Sequence, residues 1–277
     1  MGTVKRTPAA ALSALLGVLV LATSSGAAGR AGVGRMSVTP NRVNAGSTGI
    51  ELVFTFVADS AAVSGVTIVD VSRGWTLPQR TNPNGNGYVE LQPTGCTSAT
   101  RITGIVGRRI TIATTCARKH FFKLLYHRAS APLLAADGYI FLTQTRPTAP
   151  KTGARRKVLF KPLGPRKQPV VRVRGSAASN LFMTLTSVAT VGTPFSATVR
   201  AIDQWGNNAA DYTGTVTLTS TDPLATLPGP YIYGPTDTAQ HVFTGVILRT
   251  TGTQRITATD SAGRSISSGP ITVSPGS

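Results

Sequence analysis

The chain has 277 residues, of which 41% are hydrophobic, 6% aromatic and only 14% charged, and its net charge is +18. Charged residues fall well below the ~25% usual in globular domains; Thr, Val, Ala, Gly and Ser take their place, a mixture suited to short strands and frequent turns. Ten acids and three His leave little material for acid–base or triad chemistry, and the length suits about two domains.

Residues 1–28 read as a secretory signal peptide. Lys5 and Arg6 give a positive start, Ala9 to Ala22 is apolar, and Ser25-Gly-Ala27 is a cleavage tripeptide. The apolar run is shorter than the ~20 residues of a membrane span, so an uncleaved anchor is the weaker alternative. No later stretch reaches transmembrane length. The expected location is therefore secreted or cell-surface, with the mature chain starting near Ala28.

Charge is unevenly distributed. Residues 29–175 carry 22 Lys/Arg against five acids, net +17, whereas residues 176–277 carry four Arg against five Asp, net −1. A cationic half is drawn to polyanions in a salt-dependent way.

A first domain is expected over 35–174. Met36–Pro40 opens it as a strand. Ile50–Ala58 alternates, with Leu52, Phe54, Phe56 and Ala58 on one face, so it reads as a strand buried on one side. Val66–Val71 is the next strand, and Trp75 after it reads as a core plug. Turn chemistry at Asn82–Gly87 precedes the strand Tyr88–Leu91. Thr100–Ile105 and Arg109–Thr114 form a hairpin about Val106-Gly107. The midpoint of Cys96 and Cys116 is residue 106, so such a hairpin sets the two cysteines nearly opposite each other, as a structural disulfide. His120–Tyr126 and Gly138–Thr145 continue the strand series. His120 and His127, seven apart, fall on opposite faces of a strand and cannot share a metal; both read as surface or edge residues.

Residues 146–174 hold ten basic side chains, and Gly138–Ile202 contains no acid. Val158–Phe160 and Val170–Val173 look like strands, so the segment reads as a basic hairpin or edge. Two readings stand side by side. One is a solvated edge whose charges block sheet-to-sheet aggregation. The other is a polyanion contact through Arg155, Arg156, Lys157, Lys161, Arg166 and Lys167.

A second domain is expected over 177–275, with strands at Leu181–Ser187, Phe195–Asp203, Thr215–Thr219, Tyr231–Tyr233, His241–Leu248, Thr253–Thr259 and Ser265–Val273. Turns every eight to twelve positions fit an all-β sandwich. Phe243 and Leu248 differ in parity, so a bulge near Gly245 lets both point inward. Asp203–Asn208 has oxygen ligands at short spacing but lacks the repeated acids of a calcium loop. It reads as a strand-end turn, with Trp205 covering the end of the sandwich.

Val191–Phe195, Ala201–Asn207, Tyr212–Val216, Ser220–Pro223, Leu227-Pro228 and Gly252–Asp260 together resemble the bacterial immunoglobulin-like repeats of surface and secreted proteins, the invasin/intimin-like and filamin-like groups among them. The resemblance covers about 100 residues in family order. It implies an immunoglobulin-like fold with a spacer, adhesion or display role and no catalysis. The first domain resembles immunoglobulin-like domains of secreted bacterial proteins more weakly, through Ala45–Gly49, Gly74-Trp75, Gly87–Val89 and the paired cysteines.

No Gly-x-Ser-x-Gly elbow, His-Glu-x-x-His pair, phosphate-binding glycine loop or paired-carboxylate motif is present, so no catalytic, cofactor-binding or metal-ligating residues are assigned. The basic run has no aromatic interleaving apart from Phe160, which disfavours nucleic acid. The expectation is an all-β chain of two tandem immunoglobulin-like sandwiches after a signal peptide. It acts as a non-catalytic adhesion or structural module whose cationic first domain meets anionic envelope or matrix polymers. The alternatives are a specific protein- or glycan-binding module using sandwich-end loops and, behind that, an extracellular hydrolase.

Overall fold

The computed structural model describes residues 31–148 and 158–276. The expected export segment, 1–28, lies outside them. From Ala31 onward the chain forms one compact unit, built of strands. The first set is β1 (Arg35–Thr39), β2 (Arg42–Asn44), β3 (Ile50–Val57), β4 (Val63–Asp70), β5 (Tyr88–Gln92) and β6 (Arg101–Val106). It continues with β7 (Arg109–Cys116), β8 (Phe121–Ala129), β9 (Ala136–Ile140), β10 (Leu142–Pro147), β11 (Lys161–Pro162) and β12 (Val170–Arg174). The second set is β13 (Asn180–Thr184), β14 (Val188–Thr190), β15 (Phe195–Ile202), β16 (Thr215–Ser220) and β17 (Tyr231–Ile232). It ends with β18 (Gln240–Val246), β19 (Gly252–Gln254), β20 (Ile256–Asp260), β21 (Ser265–Ser267) and β22 (Ile271–Ser274). Among the described residues no helix is long and apolar enough to cross a membrane.

In the first sandwich a sheet ordered β1-β3-β8-β5 faces one ordered β11-β10-β4-β7-β6, and β2-β12-β9 prolongs the second layer. Alternation dictates the core. Leu52, Phe54, Phe56 and Ala58 are buried, and Phe122, Leu124 and Tyr126 of β8 meet Ile110 and Ile112 of β7 in the same core. Burying each such large apolar side chain contributes about 1.5–3 kcal/mol. Phe54 touches Phe141 with ring centroids 4.9 Å apart, which ties the layers together. Trp75 is buried against the same Phe141, at 5.4 Å. Arg108 holds the Trp75 loop by donating to the carbonyls of Ser72 and Trp75 at 2.9 and 3.1 Å.

The expected hairpin forms one residue later than the spacing suggests. Val106 pairs with Arg109, leaving Gly107-Arg108 as the turn, and Gly107 takes φ 55° there. Cys96 and Cys116 are disulfide-bonded. Other strands differ more from expectation. Gly138–Thr145 is not one strand: β9 pairs with β12 and β10 pairs with β4, with Phe141 between them. Val158–Phe160 is not a strand; pairing begins at Lys161, on the sheet edge. β12 is the middle strand of another sheet, so the basic stretch forms no hairpin, and its β11 portion is the part that lies at an edge. His127 sits on β8 between β3 and β5, so it is on an interior strand, not an edge.

In the second sandwich a sheet ordered β13-β15-β18 faces a layer made of β14-β22-β19 and β17-β16-β20-β21. The latter two are halves of one layer. β19 and β20 are separated by Arg255 alone, and the expected strands Thr253–Thr259 and Ser265–Val273 are therefore each broken. Ser268 fills the break: its N–H donates to the Ile256 carbonyl at 2.8 Å, and its hydroxyl accepts from the Ile256 N–H at 3.1 Å. Leu181–Ser187 likewise ends at Thr184, and β14 starts afresh at Val188. The expected bulge is present. Phe195 pairs with Val246 and Ala197 with Phe243, so Thr244-Gly245 opposes Ser196 alone. Phe243, Val246 and Leu248 all become buried, and Gly245 supplies φ 78°.

The two cores share no buried residue: the first runs from Met36 to Val173 and the second from Leu181 to Val273. Between them lies a built junction. The Ser176 hydroxyl donates to the Ala45 carbonyl at 2.7 Å. The Asn207 side chain accepts from the Ala135 N–H and donates to the Leu133 carbonyl, each at 2.8 Å. Trp205 packs on the first core, not over the end of its own sandwich. A Cβ on Gly175 would meet the Asn208 carbonyl, so only glycine fits there.

Candidate polyanion surface

Of the six basic residues expected to meet a polyanion, Arg155, Arg156 and Lys157 lie outside the described residues. Lys161, Arg166 and Lys167 are described and exposed. Lys161 is on the edge strand β11, and Arg166 and Lys167 form a single 3-10 turn, Pro165–Lys167, against β1.

The strand directions place these residues at the end of the first sandwich away from the junction. β3 begins beside the junction loop and finishes at Val57, where Arg35 of β1 is its register partner. Two residues on, the Asp59 carboxylate accepts from Lys167 Nζ at 2.8 Å. The β7–β8 turn is tied to the same point: the Lys119 N–H donates to the Ala58 carbonyl at 2.7 Å, and the Ala58 N–H donates to His120 at 3.0 Å. β10 also finishes at this end, where Thr148 donates to the Ser64 carbonyl at 2.8 Å. Arg146 on that strand lies over the Phe160 ring at 4.3 Å. Arg35, Arg118, Lys119, Arg146, Lys161, Arg166 and Lys167 are thus carried by segments that meet at this tip, where the Asp59 carboxylate pairs with Lys167. Burial pushes the Asp59 carboxyl up, but hydrogen bonds from Lys167 and Ser60 outweigh this and hold it below the usual range.

Arg35, Arg118 and Lys119 lie outside the basic run read in the sequence, whereas Arg146 opens it. Antiparallel pairing of β1 with β3 and the turn bonded to Ala58 bring Arg35 and the adjacent Arg118-Lys119 to that run. Lys119 takes φ 70°, in the left-handed region.

The other acids of the first sandwich lie elsewhere. Asp70 pairs with Arg109 at 2.8 Å. Glu51 contacts His127 Nδ1, and Glu90 lies 3.8 Å from His127 Nε2, with Tyr88 stacked on the imidazole. Asp137 lines a shallow cleft with Arg42 and Arg172. Among the described residues no group of three or more His, Cys, Asp or Glu could hold a metal ion.

In the second sandwich the carboxylates serve turns. Asp203 accepts from the N–H groups of Ser176, Trp205 and Asn207 and from the Asn207 amide, at 2.8–3.0 Å. Its oxygens are therefore engaged by the strand-end turn. A cleft of about 240 Å³ beside the junction is lined by Arg174, Asp211, Tyr212, Gly234 and Thr238, among others. Arg174 and Asp211 form an ion pair of 3.1 Å there.

No family model matches the sequence, and no curated protein matches it either. Among solved structures the chain is similar to the Yersinia pseudotuberculosis adhesin InvE, at 11% identity and TM-score 0.30, over 87% of this chain and 58% of that one. It is similar to a putative membrane anchored protein from Corynebacterium diphtheriae, at 13% identity and TM-score 0.29, over 87% and 53%. It is also similar to the Escherichia coli adhesin FdeC, at 13% identity and TM-score 0.31, over 88% and 65%. The chain thus matches less than two thirds of the length of each, and superposition at this level identifies neither function nor partner.

Proposed function

We propose that this is an exported or cell-surface protein that works by contact and not by chemistry, its cationic first sandwich meeting anionic envelope or matrix polymers. The observation that carries this reading is the charge asymmetry, +17 over residues 29–175 against −1 over 176–277. The exposure of those cations supports it: Arg35, Arg118, Lys119, Arg146, Lys161 and Arg166 are all at the surface, where they can displace counterions from a polymer. Most of the carboxylates, in contrast, hold ion pairs and turns. The test is retention of the exported chain on an immobilised polyanion through a salt gradient. Salt-sensitive retention supports the reading, and absence of retention at low salt removes it.

A second reading, recognition of a specific protein or glycan, draws on the cleft beside the junction, which is lined by the Arg174–Asp211 ion pair and by Tyr212. Binding of that kind survives moderate salt, which separates the two.

A further inference from the structure

We infer that the first sandwich meets its polymer end-on, through the tip away from the junction, and not through the faces of its sheets; this rests on the reading above. The tip gathers cations from five separate segments. Arg35 comes from β1, Arg118 and Lys119 from the β7–β8 turn, Arg146 from β10, Lys161 from β11, and Arg166 and Lys167 from the turn that follows.

Three further observations favour the tip. First, its cations are uncommitted. Among the described residues, the side chains of Arg35, Arg118, Lys119, Lys161 and Arg166 make no ion pair with a carboxylate; Lys167 is the member that Asp59 neutralises. Near the junction, by contrast, Arg108, Arg109 and Arg174 are held by carbonyls or carboxylates, while Arg42 and Arg172 on the sheet face make no ion pair among the described residues but share their cleft with Asp137. Second, the tip is presented by fixed backbone. The β7–β8 turn holds Lys119 at a positive φ, is bonded to Ala58 on both sides, and follows the disulfide-bonded Cys116. Arg146 is stacked on Phe160, which leaves the edge of its guanidinium free for a phosphate or carboxylate fork. Third, the remaining acids of this sandwich, Glu51, Asp70, Glu90 and Asp137, lie toward the middle or the junction. The cationic sheet face at Arg42 and Arg172 shares its cleft with Asp137, and repulsion there opposes an anionic chain.

The ligand is a polymer with repeated anionic groups, because cations spread over five segments meet several charges at once and no single one. Phosphate and carboxylate polymers share this chemistry. The test therefore uses the full exported chain on two probes, long-chain polyphosphate and polygalacturonate, with inorganic phosphate as the monomeric control. The tip variant carries Arg118→Gln, Lys119→Asn and Arg166→Gln; the face variant carries Arg42→Gln and Arg172→Gln. Thermal midpoints of both are measured to verify folding. Asp59→Asn, which frees Lys167, is the gain-of-function arm.

The tip variant is expected to lose at least tenfold in affinity on the preferred polymer. Its slope of log K against log salt should fall by about 2, in line with nucleic-acid phosphates, where each contact contributes roughly 0.7–0.9. The face variant should bind as the parent does, and Asp59→Asn should bind more tightly. Equal losses in the two variants, or a loss confined to the face variant, overturns the end-on geometry while leaving polymer binding intact. A parent chain that binds neither polymer overturns the underlying reading, and the inference with it.

Discussion

The indole of Trp205, from the second sandwich, occupies the space that a side chain on Gly46 of the first would need. Gly46 also takes φ 65°, so a substituent there meets two obstacles, the ring and the left-handed backbone. Gly46→Ala is expected to cost about 1–2 kcal/mol from the backbone alone, plus the displacement of Trp205. Trp205→Ala removes the ring and makes room, so the double variant should be less destabilised than the sum of the two singles. Chemical denaturation of the four proteins measures that coupling. Strict additivity would show that the two residues do not press on each other.

The disulfide closes a loop with a sequence separation of 20. By loop entropy it contributes about 3 kcal/mol. A Cys96→Ala/Cys116→Ala double variant should lose about that much in the denaturation of the first sandwich, and added reductant should then change nothing further.

Gly245 marks the bulge on β18. A Cβ there would meet nothing within 4 Å, yet φ is 78°. Gly245→Ala therefore isolates the conformational cost, about 1 kcal/mol. A loss several times larger, measured in urea, would mean that the bulge also depends on close packing.

Asp222 governs an acid response in the second sandwich. Burial pushes its carboxyl up, but the N–H of Arg249, the hydroxyl and N–H of Thr250 and the N–H of Leu224 together hold it down at about 2. The ordinary value is 3.8, so the unfolded chain takes up this proton at higher pH than the folded one. The stabilisation is fully present above about pH 4 and is lost as pH falls toward 2. Asp203 and Asp260 are lowered as well and act in the same direction. Asp222→Asn should cost about 1.5–3 kcal/mol at neutral pH and should converge with the parent near pH 2. A gap that persists undiminished at pH 2 would contradict this assignment.

Much of the fold was legible because burial on one face leaves a period of two. Leu52, Phe54 and Phe56 declare β3, and Phe195, Ala197 and Val199 declare β15. The parity break between Phe243 and Leu248 announced the bulge. The strand breaks were not legible, for a physical reason. Phe141, Thr143 and Thr145 are all buried, so alternation runs on unbroken from β9 through β10 while the pairing partner changes from β12 to β4. Local periodicity reports which face is buried and is silent about the neighbouring strand. Trp205 was misassigned for a similar reason, since an aromatic residue at a strand end does not declare which core it covers. The candidate surface was half legible. Lys161, Arg166 and Lys167 stood out in a basic run, whereas Arg35 and Lys119 join them only through the pairing of β1 with β3 and the turn bonded to Ala58.

The most direct test of the central claim is the salt dependence of the chain's retention on immobilised polyphosphate and polygalacturonate, with an uncharged dextran column alongside. The account predicts firm retention at low salt, a steep linear fall of log K with log salt, and passage straight through the dextran column. No retention at low salt on either polymer, or retention that salt leaves unchanged, would contradict it.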